Sequence, residues 1–118
     1  MTVPLDIIFD RSAPHVREAF DAVLRRIEHL GSFTITTSAK AVTLYCPAGK
    51  SFLVLGPLTK LLDVWCVLDR PVEGPFIHSH RKASAHRWQI VMRITHEDEI
   101  VQEMIDLVAE SYQRASTQ

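Results

Sequence analysis

Apolar side chains recur every three or four positions at Val16, Ala19, Phe20, Val23, Leu24, Ile27 and Leu30. That spacing draws one stripe down a helix and predicts a helix over Ala13 to Leu30. Ser12 is placed to cap its first amides, and Pro14 suits a first turn, where an amide hydrogen is not needed. Arg25, Arg26 and His29 complement the negative end of the helix dipole, and Gly31 ends the helix.

From Phe33 to Asp69 the period drops to two and β-branched and aromatic residues become frequent, which predicts strands. Four runs stand out: Phe33 to Thr37, Ala41 to Cys46, Ser51 to Leu55 and Leu61 to Asp69. Pro47 to Lys50 reads as a hairpin loop and Gly56 to Lys60 as the next turn, and connections this short join antiparallel neighbours. In the last run Leu62, Val64, Cys66 and Leu68 fall on one face, and Leu61, Trp65 and Val67 on the other. A strand that is mainly apolar on both faces predicts cover on its second face, by another segment or another subunit.

The stretch from Pro71 to Ala85 has two prolines, a glycine and no sustained period, so it reads as the long connection of the domain. Arg87 to Ile94 then alternates, with Trp88, Ile90, Met92 and Ile94 on one face, as a half-buried strand does. Thr95 with Asp98 three residues on resembles a capping box and predicts a second helix there. Its stripe is Ile100, Val101, Met104, Ile105, Val108, Tyr112 and Ala115. The expected fold is a single α+β domain over 1–118, in the order α-β-β-β-β-β-α. Its N- and C-terminal helices pack on one face of a five-stranded, mainly antiparallel sheet.

Composition fits this picture: 118 residues with 47% hydrophobic and 23% charged side chains suffice for one core. The formal net charge of −1 supplies no global field for polyphosphate or an anionic membrane. No apolar run approaches the ~20 residues needed to span a bilayer, and the N-terminus lacks the cationic start of a secretory signal. A cytoplasmic location without membrane association is expected. Cys46 and Cys66 lie in strand-like apolar runs and are read as core thiols.

The landmarks as a set resemble an uncharacterised bacterial family, the domain-of-unknown-function family 5655. They are the opening Leu5 to Phe9 with Pro14, Phe20 and Leu30-Gly31; Lys40, Phe52, Pro57 and Leu68; then Arg93-Ile94, and Tyr112 with Ala115. The resemblance covers nearly the whole chain and implies a small α+β unit with no catalytic residue to carry over. Some members carry a cysteine-rich segment ahead of the domain; this chain opens at the domain, so no zinc site of that kind is expected.

Three chemical signals remain. His78, His80 and His86 fall within nine residues, a set that can close around zinc or nickel, although the spacing matches no metal motif and Arg81, Lys82 and Arg87 stand among them. Those three cations form the one basic concentration and make nucleic acid a secondary partner. Finally, Tyr45, Asp63, Trp65, Val67, Gln89, Val91 and Arg93 share the sheet face away from the helices if the strands alternate as read, with Asp63 within cross-strand reach of Arg93. Their mix of aromatic and polar groups is that of an interface, unless the segment Gly74 to Ser84 folds over it.

No nucleophile with a base, no paired acids and no glycine-rich phosphate loop occurs, so no catalytic residue is assigned and no cofactor is expected. The leading expectation is a non-catalytic binding module working through the open sheet face and the 71–86 connection. Self-association as a homodimer, or another protein, is its expected partnership. The alternatives are a nucleic-acid-associated protein using Arg81, Lys82 and Arg87, and a metal-dependent enzyme or sensor using His78, His80 and His86.

Overall fold

The computed structural model describes residues 3–117. A one-turn helix α1 (Leu5–Ile8) leads into α2 (Pro14–Ile27), which tightens into a 3₁₀ turn at Glu28–Leu30. Six strands follow: β1 (Thr34–Thr37), β2 (Val42–Tyr45), β3 (Ser51–Pro57), β4 (Leu62–Leu68), β5 (Ile77–Ser84) and β6 (Arg87–Ile94). A 3₁₀ turn at Glu97–Glu99 then precedes α3 (Gln102–Thr117). The strands form one sheet in the order β1-β2-β3-β4-β6-β5, with every neighbouring pair antiparallel.

Helices α2 and α3 cover one face of the sheet. Val16, Ala19, Phe20, Val23 and Ile27 from α2 and Met104, Ile105, Val108, Tyr112 and Ala115 from α3 are buried, and so are Leu53, Leu55, Leu62, Val64, Cys66, Ile90, Met92 and Ile94 from the strands. Each large apolar side chain moved from water into this layer contributes about 1.5–3 kcal/mol, which is what holds sheet and helices together. No helix among the described residues is long and apolar enough to cross a membrane.

The sheet has six strands where five were expected, because most of the segment read as a long connection is strand β5. Only 69–76 remains as the link between β4 and β5. The alternation rule missed β5 because an edge strand open to solvent on both sides carries no apolar periodicity: every residue from Ile77 to Ser84 is half-buried or exposed. Its hydrogen bonds go to β6 instead. The chain therefore does not fold Gly74 to Ser84 over the sheet; it extends the sheet sideways.

Three smaller corrections concern the helix ends. The short α1 was not expected; it brings Ile8 and Phe9 into the core, with the Phe9 ring edge-on to Phe20 at 4.9 Å. Ser12 does not cap α2: Ala13 occupies that position, and the Ser12 hydroxyl donates to the Leu58 carbonyl at 2.8 Å. The acidic run does not start α3. His96, rather than Thr95, caps the separate 3₁₀ turn, with the Glu99 carboxylate accepting the His96 and Thr95 amides. Ile100 is extended and buried, and the helix proper begins at Gln102.

At Gly31 the backbone has φ +136°, and a Cβ there would meet the Tyr112 hydroxyl at 2.6 Å. The same hydroxyl donates to the Ser32 carbonyl at 2.8 Å. Glycine is thus required both by the conformation and by the tyrosine that ties α3 to the start of the sheet.

Candidate functional site

The sheet face opposite the helices carries no cover from any described segment. Strand alternation puts Asp63, Trp65 and Val67 of β4 on it, since Leu62, Val64, Cys66 and Leu68 point to the helices. The register adds their neighbours. Thr36, Thr43, Val54, Trp65, Val91 and Ser79 form one continuous row across all six strands. One row along, Val67 lies opposite Gln89, and Gln89 opposite Arg81. One row the other way, Gly56, Asp63 and Arg93 stand side by side. Tyr45 is on the same face, opposite Thr34 and Ser51.

Trp65 is at the centre of this surface and is 42% exposed. A tryptophan in the middle of a six-stranded sheet is usually among the most sheltered side chains of a small domain. Two shallow hollows flank it. Ser79, Arg81, Gln89 and Val91 line one with Trp65, while Ser51, Val54, Val67, Gln89 and Arg87 line the other.

Arg93 Nε donates to Asp63 Oδ1 at 2.8 Å. The Asp63 side chain is only 13% exposed and that of Arg93 41%. This is the cross-strand pair that the sequence placed within reach, and it is committed: a largely buried carboxylate needs its cation.

Asp63 is the one carboxylate on the six strands, which also carry Arg81, Lys82, Arg87 and Arg93. By register Arg81, Arg87 and Arg93 belong to the open face and Lys82, opposite Trp88, to the other. Since Arg93 is satisfied by Asp63, Arg81 and Arg87 give the open face positive charge that no strand carboxylate offsets. In a chain of formal net charge −1 the strands of the open face therefore carry a local excess of positive charge.

The histidines separate. His78 is exposed where the β5 register shifts, between Ile77 and Ser79. His80 turns to the helix side, its ring edge-on to Trp88 at 5.6 Å. His86 lies in the β5–β6 turn, where its carbonyl accepts from Arg114 Nη2 at 3.3 Å. Among the described residues no group of three or more His, Cys, Asp or Glu side chains is gathered to hold a metal ion.

The cysteines differ from each other. Burial pushes the Cys66 thiol up to about 12, helped by the negative charge of Glu110. At Cys46, by the β2–β3 turn, burial also raises the thiol, but hydrogen bonds from the backbone of Lys50 and Ala48 and from Ser116 outweigh it and leave the group below its ordinary value. Both side chains are buried and neither lies on the open face.

Sequence reasoning missed Ser79, Val54 and the hydroxyl row Thr36 and Thr43 as parts of the surface. The signal was present for Val54, which alternates between Leu53 and Leu55. For Ser79 it was absent, since β5 had no readable period.

No curated protein and no solved structure matches the chain. A family model does match, over residues 6–115, and it is described as a domain of unknown function, DUF5655. With nearly its whole length aligned to that model, the chain belongs to the DUF5655 family.

Proposed function

We propose that this protein is a non-catalytic binding module whose working surface is the open sheet face around Trp65, and that its partner is anionic. The observation that carries this reading is the exposed Trp65 at the centre of an uncovered sheet, with Arg81 lining one adjoining hollow and Arg87 the other. Apolar and aromatic surface left in water has no folding purpose, and a partner that removes it from water gains the corresponding free energy. The guanidiniums, which form no ion pair among the described residues, select the sign of that partner.

The same charges bear on self-association. A homodimer joined face to face would set two surfaces of the same positive sign against each other, with Asp63 already occupied by Arg93. Like charges set against each other in an interface cost several kcal/mol in order of magnitude. An acidic partner is therefore favoured over a second copy at this face.

The test is a titration of isotope-labelled protein followed by amide shifts, with deca-glutamate and deca-lysine as probes at low salt. Shifts confined to β4, β5 and β6 with deca-glutamate, and none with deca-lysine, are expected. Shifts on α2 and α3, or equal responses to both peptides, overturn the reading.

A further inference from the structure

We infer that the open face is a platform for single-stranded nucleic acid, with a base stacked on the Trp65 indole and phosphates held by Arg81 and Arg87. This rests on the reading of that face as an anion-binding surface and names the class of anion.

The chemistry on the face suits a nucleotide better than an acidic peptide. Stacking needs an aromatic side chain open to solvent, and Trp65 is 42% exposed. Every base presents a matching π face, whereas Asp and Glu side chains present none. The row is made of short side chains, with Val54 and Val91 directly beside the indole, the hydroxyls of Thr43, Thr36 and Ser79 farther out, and Gln89 diagonal to it. Short hydroxyls and an amide leave a flat approach and supply both donors and acceptors for base edges or sugar.

The spacing also fits. Ser79 lies two strands from Trp65 in its own row, and Arg81 is two residues along β5. At about 4.8 Å per strand and about 3.3 Å per residue, the Arg81 backbone is about 12 Å from that of Trp65. An extended arginine covers much of that span. Arg81 shares one hollow with Trp65 and Arg87 the other, and by register both lie from the indole toward the β5–β6 turn, so a strand leaving the indole in that direction passes both cations. Duplex DNA hides its base faces and would use the arginines alone.

The experiment measures fluorescence anisotropy of a labelled 12-nucleotide mixed-sequence single strand, its duplex, and labelled deca-glutamate, each at 50 and 200 mM salt. Trp65 emission is followed in parallel in a Trp88→Phe background. The inference predicts quenching of Trp65 by the single strand and weaker binding of the duplex. Two phosphate contacts predict a slope of log affinity against log salt of about −1.4, or about a sevenfold loss between the two salts. Trp65→Ala should weaken single-strand binding by about tenfold or more. If the Trp88→Phe protein fails to fold, the anisotropy comparison of the native protein with Trp65→Ala decides alone. Equal binding of the single strand and deca-glutamate, with no loss in Trp65→Ala, overturns the inference and leaves an anion-binding face. Duplex binding as tight as single-strand binding also overturns it. No binding of any probe overturns both the inference and the reading beneath it.

Discussion

The Ser111 hydroxyl donates to the Phe52 carbonyl at 2.7 Å and accepts the Val67 amide at 3.1 Å. It stands where a direct β3–β4 hydrogen bond would otherwise be. Phe52 is the extra residue of a bulge between the Leu44–Leu53 and Tyr45–Ser51 pairs, and the bulge turns its ring to the helices, 4.9 Å from Tyr112. Ser111 from α3 thus repairs the ladder that the bulge opens. Ser111→Ala leaves a buried amide and carbonyl unpaired, and should cost about 1–3 kcal/mol. Urea unfolding reads the loss, and faster hydrogen exchange at the Val67 amide localises it.

Ion pairs should separate by burial. Arg93→Ala strands the sheltered Asp63 carboxylate on the sheet and should destabilise by about 1–3 kcal/mol. Arg25→Ala breaks a pair with Glu97 whose side chains are 63% and 52% exposed, and should change stability by less than about 0.5 kcal/mol. Thermal unfolding of the two variants checks the order.

Much of the fold was legible because most elements bury one face and so carry a period. The α2 stripe, the β2, β3 and β4 alternation and the Trp88-Ile90-Met92-Ile94 face of β6 all map onto buried or half-buried positions. What was illegible follows from the same physics. Strand β5 buries neither face, so its sequence IHSHRKAS has no pattern to show. The Phe52 bulge breaks alternation within β3 and depends on a serine 59 residues away. In the candidate site, the Asp63–Arg93 pair and the Trp65 face were readable by counting twos along β4 and β6. The positions of Arg81 and His80 on opposite faces were not, since they required β5 to be a strand.

The raised Cys66 thiol makes a pH prediction. In the unfolded chain this thiol titrates near its ordinary value of 9.0, but in the fold it stays protonated to about 12. Between those values the unfolded state has lost a proton that the native state keeps, so stability falls as pH rises, with a limiting slope of about 1.4 kcal/mol per pH unit. Below about pH 9 the contribution is fully present. Urea midpoints at pH 7, 9 and 10.5 should fall more steeply in the native protein than in Cys66→Ala.

Thiol labelling separates the two cysteines. At pH 8, Cys46 should react with an aromatic disulfide reagent well before Cys66: both are buried, but Cys46 adjoins the β2–β3 turn, whose local opening exposes a thiolate favoured by hydrogen bonds, whereas Cys66 lies mid-strand with its thiolate opposed by burial. Cys46→Ser should remove the first phase, leaving only labelling that tracks global unfolding.

Binding and folding should come apart at the open face. Trp65, Arg81 and Arg87 lie outside the buried core that holds sheet to helices. The triple variant Trp65→Ser, Arg81→Glu, Arg87→Glu is measured beside the native protein, for thermal unfolding and for anisotropy of a labelled single-stranded 12-mer and deca-glutamate. The account predicts a midpoint within a few degrees of native and loss of binding to every anionic probe that the native protein holds. A folded triple variant that binds those probes as well as the native protein would contradict it.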